Sequence, residues 1–270
     1  MALIKTNGTG LDIEQAGAGP ELVLLHSLLA DRGAFDRVRD ELARSHRVCL
    51  VNLPGYGASP PAAHAAIEDY ADQLAGIFPA LALSEKTAVL GNGFGGFIAL
   101  ALAIRHGGKF GSLVIADSLA TFPPQAKEPF RVLHAKVTEQ GMGAVLDAAV
   151  RRMFPESFIA AHPEIVAERK SALATADAKC FARACLALAK VDFRPGLAKI
   201  RNRALVMAGA LDQTTPAALA RELADAIPGA GFREIPGCGH CPQIEKPAEF
   251  VAAVREFLGQ ARGDPSLRSG

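Results

Sequence analysis

Short, unbroken apolar runs alternate with helix-length segments through the first half of the chain, and this order constrains the fold more than any other feature of the sequence. A strand that is apolar at every position is buried on both faces, so helices must cover both sides of its sheet. The pattern therefore predicts an α/β fold, with a mostly parallel sheet between two layers of helices. The predicted strands are residues 21–26, 47–52, 87–90 and 112–116, and the helices between them are residues 32–45, 67–83 and 94–106.

The pattern changes between residues 121 and 197, where no segment has the character of a strand. This helical stretch interrupts a continuous βα series, and we expect it to cover the carboxyl edge of the sheet, where open α/β folds place their ligands. We predict one domain, with a core of residues 1–120 and 198–262, a helical lid of residues 121–197 and a mobile tail of residues 263–270. The predicted elements are helices at 129–139, 143–153, 163–175 and 178–190, strands at 204–208 and 231–235, and helices at 216–227 and 247–262.

A glycine-rich segment, Gly-Asn-Gly-Phe-Gly at residues 91–95, joins a predicted strand to a predicted helix. In strand–turn–helix segments of the form G-x-S-x-G, the central serine is a nucleophile on a sharp turn. Here the central residue is Gly93. Glycine adopts a strained backbone conformation at little cost, so the turn is expected to form although its usual attacking atom is missing.

Two further motifs follow in the order acid, then histidine. Asp212 lies just beyond a predicted strand in Met-Ala-Gly-Ala-Leu-Asp-Gln-Thr-Thr-Pro, and His240 lies in the glycine-rich loop Pro-Gly-Cys-Gly-His-Cys-Pro-Gln-Ile-Glu. Upstream, Leu-Leu-His-Ser-Leu-Leu at residues 24–29 spans the end of the first predicted strand. Leu-Pro-Gly-Tyr-Gly at residues 53–57 follows the second.

In order and spacing, these motifs resemble those of the α/β-hydrolase superfamily over nearly the whole chain. The sequence is most similar to the 3-oxoadipate enol-lactonase-like and small-esterase branch. The residues that carry this narrower resemblance are the four-helix insertion, Phe-Pro-Glu-Ser-Phe at 154–158 and Cys-Gly-His-Cys-Pro-Gln-Ile-Glu at 238–245. The resemblance implies an α/β-hydrolase fold with a helical lid insertion.

The resemblance also implies roles for individual residues. His240 would be the general base and Asp212 the acid that orients it, while the backbone N–H groups of Leu28 and Phe94 would form the oxyanion hole. Gly93 departs from the pattern as the empty nucleophile position. The residues expected to line the substrate pocket are Ser27, Phe122, Phe130, Met153 and Phe154, although ordinary helix packing explains the aromatic ones equally well.

Other residues could serve as the acid or as the nucleophile. Asp117, after the fourth predicted strand, is an alternative acid. Ser27 and Ser118 are hydroxyls that could replace the missing nucleophile, but neither lies on a strand–turn–helix elbow. The pair Cys238 and Cys241 lacks a second Cys/His pair at zinc-ligand spacing, so no metal is expected.

Three functions remain open at this stage. The first is hydrolysis of a small ester, lactone or activated carbonyl compound, in which His240 activates a water because Gly93 offers no nucleophile. The second is a cofactor-independent lyase or oxygenase reaction with His240 as the base. The third is non-catalytic binding of a small molecule. The sequence is the same whether the glycine at position 93 is natural or was introduced in place of serine.

The composition of the chain limits the classes of partner and the cellular location that we expect. The 29 basic and 28 acidic residues give a net charge of +1, with no long basic run, so we expect neither nucleic acid nor a membrane surface as partner. The apolar stretch at residues 94–104 is too short to span a bilayer.

Five cysteines without a signal-peptide pattern indicate thiols in the cytoplasm. No dinucleotide or phosphate-binding motif is present, so no cofactor is expected. The oligomeric state is left open.

Overall fold

The computed structural model describes residues 2–6 and 9–259, in which eight strands form one sheet in the order β1-β2-β4-β3-β5-β6-β7-β8. β1 and β2 are antiparallel to their neighbours, whereas β3 to β8 are parallel. The sheet is thus mostly parallel, as the apolar runs predict. The strands are β1 Ala2–Thr6, β2 Thr9–Ala16, β3 Glu21–Leu25, β4 Arg47–Val51, β5 Ala88–Asn92, β6 Ser112–Ala116, β7 Arg203–Gly209 and β8 Gly231–Ile235.

Thirteen α-helices lie in the described ranges. They are α1 Asp36–Ala43, α2 Ile67–Ala75, α3 Ile77–Ala80, α4 Phe94–His106, α5 Pro124–Gln140, α6 Leu146–Met153, α7 Glu156–Ala161, α8 Pro163–Ala174, α9 Ala178–Lys190, α10 Arg194–Leu197, α11 Ala217–Ala226, α12 Pro242–Glu245 and α13 Pro247–Gly259. Three 3-10 segments, Arg32–Phe35, Gly107–Lys109 and Met142–Val145, complete the helical structure.

Some elements differ from the sequence expectation. The sequence pattern does not predict the antiparallel strands β1 and β2. In β2 the buried Leu11 and Ile13 alternate with acidic residues, so this strand has no unbroken apolar run. The helix expected over residues 67–83 is divided into α2 and α3. Pro79 has no N–H to donate to the carbonyl four residues before it, which explains the break. The expected end of the last helix at 262 and the tail at 263–270 lie outside the described residues.

Helices cover both faces of the sheet, and side chains alternate between the two faces along each strand. Leu24, Leu50 and Leu90 pack with α1 and α13 in one apolar cluster. Val23 and Val89 point the other way, into a larger cluster that includes α2, α4 and α11. α4 is buried over its first ten residues, which explains why its sequence is apolar all round.

The chain between β6 and β7 forms helices α5 to α10, and over the described residues its only β pairing is an isolated bridge between Thr121 and Asp192. The rings of Phe97 in α4 and Phe122 stack at 5.2 Å, and the Phe122 ring lies 4.8 Å from that of Phe130 in α5. These contacts attach the inserted helices to the core beside the start of α4. None of the described helices combines the length and the apolar character that crossing a membrane requires.

Candidate active site

The turn between β5 and α4 holds Gly93 in a conformation that favours glycine, with φ of 53° and ψ of −117°. Its N–H donates to the carbonyl of Ala116 at 2.9 Å. The two flanking glycines are needed for a different reason. A β-carbon on Gly91 would lie 2.1 Å from the carbonyl oxygen of Gly95, and one on Gly95 would lie 2.2 Å from that of Leu25. Close backbone contacts therefore fix the turn.

Two polar atoms face the position that a side chain at residue 93 would occupy. A β-carbon built on Gly93 would lie 2.6 Å from Oγ of Ser27 and 2.7 Å from Nε2 of His240. Ser118, the other candidate hydroxyl, instead donates a hydrogen bond to the carbonyl of Gly93 at 2.7 Å. The structure thus brings the hydroxyl of Ser27, and not that of Ser118, to the side-chain direction of Gly93.

His240 and Asp212 form a buried pair, with Nδ1 of the imidazole 2.8 Å from Oδ2 of the carboxylate. The backbone N–H groups of Thr214 and Thr215 donate to Oδ1 of Asp212 at 2.7 and 3.1 Å, and the Thr215 hydroxyl donates to Oδ2. Burial alone would raise the pKa of Asp212, but the charge and hydrogen bond of His240 and the threonine hydrogen bonds outweigh it and lower the pKa to about 2. The ionised carboxylate therefore accepts from Nδ1–H and leaves Nε2 as the basic nitrogen that faces Gly93.

Asp117, the alternative acid, is fully buried beside this pair with a φ of 52°. It accepts hydrogen bonds from the N–H of Gly209 at 2.8 Å and from the Asn92 amide at 3.3 Å. Burial first, and then the negative charge of Asp212, raise its pKa well above the usual range. With its pKa raised in this way, Asp117 is less suited than Asp212 to supply the anion that stabilises an imidazolium.

Asp117, Asp212 and His240 present ligand atoms within 4.8 Å of one another, a spacing that a metal ion could bridge. Hydrogen bonds already engage both carboxyl groups. Their proximity is therefore explained without an ion. The five cysteines, including Cys238 and Cys241, are buried thiols.

The loop that carries Leu28 is held by residues that the sequence analysis did not single out. His26 accepts from the N–H of Leu53 at its Nε2, 3.0 Å away, so its Nδ1–H donates to the carbonyl of Ser27 at 2.8 Å. The Tyr56 hydroxyl donates to the carbonyl of Leu28 at 2.8 Å. The contacts of His26 with Leu53 and of Tyr56 with Leu28 join segments that are distant in sequence. In the sequence, only the short His-Ser-Leu and Pro-Gly-Tyr-Gly motifs indicate them.

Leu28 and Phe94 meet at the same cavity. Neither backbone N–H donates to a protein acceptor among residues 2–6 and 9–259. Both amides are therefore available to bind an anionic oxygen, which is what an oxyanion hole requires.

The predicted pocket residues divide between two spaces. A cavity of about 20 Å³, room for about one water molecule, is lined by Ser27, Leu28, Gly93, Phe94, Phe122, Phe130 and His240, among others. The adjoining cleft of about 240 Å³ is lined by Met153, Phe154, Asp212 and His240, together with charged residues of α6. His240 and Arg152 line both spaces. Arg152 is absent from the sequence prediction, because an arginine in the last turn of a helix usually faces solvent.

Known proteins resemble this chain over nearly its whole length. Residues 22–254 match the model of the alpha/beta hydrolase family. The chain belongs to this family. The pimeloyl-[acyl-carrier protein] methyl ester esterase of Chromobacterium violaceum is 32% identical, over 92% of this chain and 98% of that protein. An esterase from Thermogutta terrifontis superposes with a TM-score of 0.87 at 30% identity, over 95% of this chain and 96% of that one.

The enol-lactonase of Burkholderia xenovorans LB400 superposes on this chain with a TM-score of 0.89 at 27% identity, over 96% of this chain and 100% of that one. Members of the alpha/beta hydrolase family that resemble this chain thus include the two kinds of protein, esterases and enol-lactonases, to which the sequence motifs point. The predicted α/β-hydrolase fold is confirmed.

Proposed function

We propose that this chain hydrolyses a small ester, lactone or activated carbonyl compound, with a water molecule in place of the serine nucleophile. The observation that carries the proposal is the direction of His240. Its Nδ1 is bonded to a buried, ionised Asp212, and its Nε2 faces the nucleophile position at Gly93. A histidine held in one tautomer, with its free nitrogen at the reaction point, has the geometry of a general base.

The proposed reaction has a single attacking step. A water between Nε2 of His240 and Oγ of Ser27 gives a proton to Nε2 as its oxygen attacks the carbonyl carbon. The N–H groups of Leu28 and Phe94 stabilise the developing negative charge on the carbonyl oxygen. The imidazolium, stabilised by Asp212, then donates its proton to the leaving oxygen, and the carbon–oxygen bond breaks.

Ser27 gives a second candidate mechanism, with its own hydroxyl as the nucleophile. The observation that favours it is the approach of Oγ to within 2.6 Å of the Gly93 β-carbon position, next to Nε2 of His240. Leu28, which follows Ser27, would then donate to the oxyanion as the residue after a catalytic serine does. This mechanism forms an acyl-enzyme, whereas attack by water does not.

A panel of p-nitrophenyl esters and small lactones tests the proposal. We expect steady turnover that falls by about 10²- to 10⁴-fold in His240→Asn. The matched control is His46→Asn, because His46 lies just before β4, at the opposite edge of the sheet from the site. Equal rates in the native protein and His240→Asn would overturn the proposal. Unchanged binding of a small ligand without turnover would then favour the binding function, and a proton-transfer reaction lost in His240→Asn would favour the lyase or oxygenase function.

Ser27→Ala separates the two mechanisms. Attack by water predicts a modest loss of rate and no adduct with a fluorophosphonate on the native chain. Attack by Ser27 predicts a burst phase, a stoichiometric adduct located at Ser27 by mass spectrometry, and loss of both in Ser27→Ala.

A further inference from the structure

Arg152 stands in the wall between the cavity at Gly93 and the adjoining cleft. The end of its helix is bound to both loops of the site through backbone groups. The Thr214 hydroxyl donates to the carbonyl of Arg152 at 3.2 Å, and the N–H of His240 donates to the carbonyl of Met153 at 3.1 Å. Arg152 is therefore held beside the reacting groups by contacts that leave its side chain free.

The guanidinium group of Arg152 has no hydrogen-bond acceptor and no ion-pair partner within the part of the chain that the structure describes. Its close contact is with the ring of Phe130, whose centroid lies 5.2 Å from the guanidinium carbon. The charge of Asp212 acts on it at longer range, but His240 and the threonines already occupy that carboxylate.

Other buried or partly buried arginines of this chain have protein acceptors for their guanidinium groups. Carboxylates accept in the pairs of Arg32 with Asp12, Arg47 with Glu21, Arg169 with Asp31 and Arg255 with Glu41. The guanidinium groups of Arg183 and Arg203 donate to the backbone carbonyls of Ala62 and Phe257. Arg152 differs from them although it is partly buried itself, and burial lowers the pKa of its guanidinium. A cation without a partner in such a place is costly for folding. A purely structural arginine would be expected to have an acceptor, whereas one that binds an anion keeps its donors free.

We infer that Arg152 binds a carboxylate of the substrate, so that the preferred substrates are small esters or lactones with a separate, ionised carboxyl group. The inference rests on the proposed hydrolysis for the position of the reacting carbonyl. The planar guanidinium matches a carboxylate with two parallel hydrogen bonds, which a neutral chain end cannot form. Because Arg152 borders both spaces, a carboxylate bound to it lies in or beside the cleft while the ester carbonyl reaches Gly93.

Two esters of matched length test this inference. Mono-p-nitrophenyl glutarate carries a carboxylate where p-nitrophenyl valerate carries a methyl group. We expect Arg152→Gln to lower kcat/KM for the glutarate ester by about ten- to a hundred-fold, mainly through KM, because a hydrogen-bonded charge pair is lost. The valerate ester should change by less than about three-fold, and Arg152→Lys should keep part of the preference. The matched control is Arg131→Gln, since Arg131 is exposed, pairs with Glu128 and lines neither the cavity nor the cleft.

Equal losses on both esters in Arg152→Gln, or a native preference for valerate, would overturn the inference. Titration with glutarate alone tests it without turnover. Binding to the native chain that disappears in Arg152→Gln supports the inference even if no ester is hydrolysed, in which case only the proposed function fails. Hydrolysis of neutral esters without any binding of glutarate leaves the proposed function standing and refutes the role of Arg152. Circular dichroism and thermal unfolding of each variant establish that it is folded.

Discussion

Nε2 of His240 lies 2.7 Å from the point that a β-carbon on Gly93 would occupy. That separation is shorter than an ordinary contact between a carbon and a nitrogen, so the imidazole extends into space that a serine side chain would need. The site therefore combines an oriented imidazole with a space that has partly closed around Gly93. Introducing serine at position 93 tests both features.

Gly93→Ser should introduce burst kinetics on an activated p-nitrophenyl ester, because its Oγ would lie beside Nε2 of His240. It should also lower the free energy of unfolding by about 1–3 kcal/mol, since the new side chain meets Ser27 and His240 and stands at a positive φ. Stopped-flow kinetics and urea unfolding measure the two effects. Gly93→Ala is the control, because it carries the same strain without a hydroxyl. A folded Gly93→Ser protein without a burst would show that the oxyanion hole and the base are out of register.

Removing Oγ of Ser27 should stabilise the folded state of the Gly93→Ser protein. In the double variant with Ser27→Ala, the atom at 2.6 Å from the new β-carbon is gone, although the Ser27 β-carbon at 3.1 Å remains. We expect the double variant to unfold at a higher urea concentration than Gly93→Ser and to give a burst of equal or greater amplitude. A further loss of stability would mean that Ser27 does not cause the crowding.

Acid should weaken the fold through His26, which the structure keeps neutral. Burial, stronger than the opposing effect of its hydrogen bond to Ser27, lowers the pKa of His26 from 6.5 to about 4. The unfolded chain therefore binds a proton between pH 6.5 and 4 that the folded chain does not, so stability falls as pH falls through this range. We expect a loss on the order of 1–3 kcal/mol in urea unfolding between pH 7 and pH 4.

His26→Gln should flatten that part of the pH profile, since glutamine does not titrate and can still accept from the N–H of Leu53. His162→Gln serves as the control, because the His162 side chain is 44% exposed. The explanation fails if His26→Gln keeps the full slope between pH 6.5 and 4. Asp212, with its pKa lowered to about 2, contributes a separate loss only at pH values below about 4.

Much of the fold follows from the sequence because strands buried on both faces must be apolar throughout. β3 to β7 are each marked in this way, and the position of Gly93 between β5 and α4 follows from the same pattern. β2 is not marked, because it alternates apolar and acidic residues. The order of Gly93, Asp212 and His240 predicted which loops meet. It named both Ser27 and Ser118 as candidate hydroxyls but could not predict which of them lies beside Gly93. Nor could it predict that the helix end carrying Arg152 would be bound to the loops of Asp212 and His240. Both depend on contacts between segments far apart in the chain.

Asp117→Asn should stabilise the protein increasingly as pH rises. The raised pKa of Asp117 means that the folded chain keeps a proton which the unfolded chain has lost above about pH 4, so native stability declines with pH until the folded carboxyl ionises. Asparagine is neutral at every pH, and its side-chain oxygen can still accept from the N–H of Gly209. We expect the free energy of unfolding of Asp117→Asn minus that of the native chain to increase from pH 5 to pH 8 in urea titrations. Asp225→Asn, at an exposed position of α11, should show no such trend. A constant or shrinking difference would mean that Asp117 is ionised in the folded protein, and that two adjacent carboxylates, not one, act on His240.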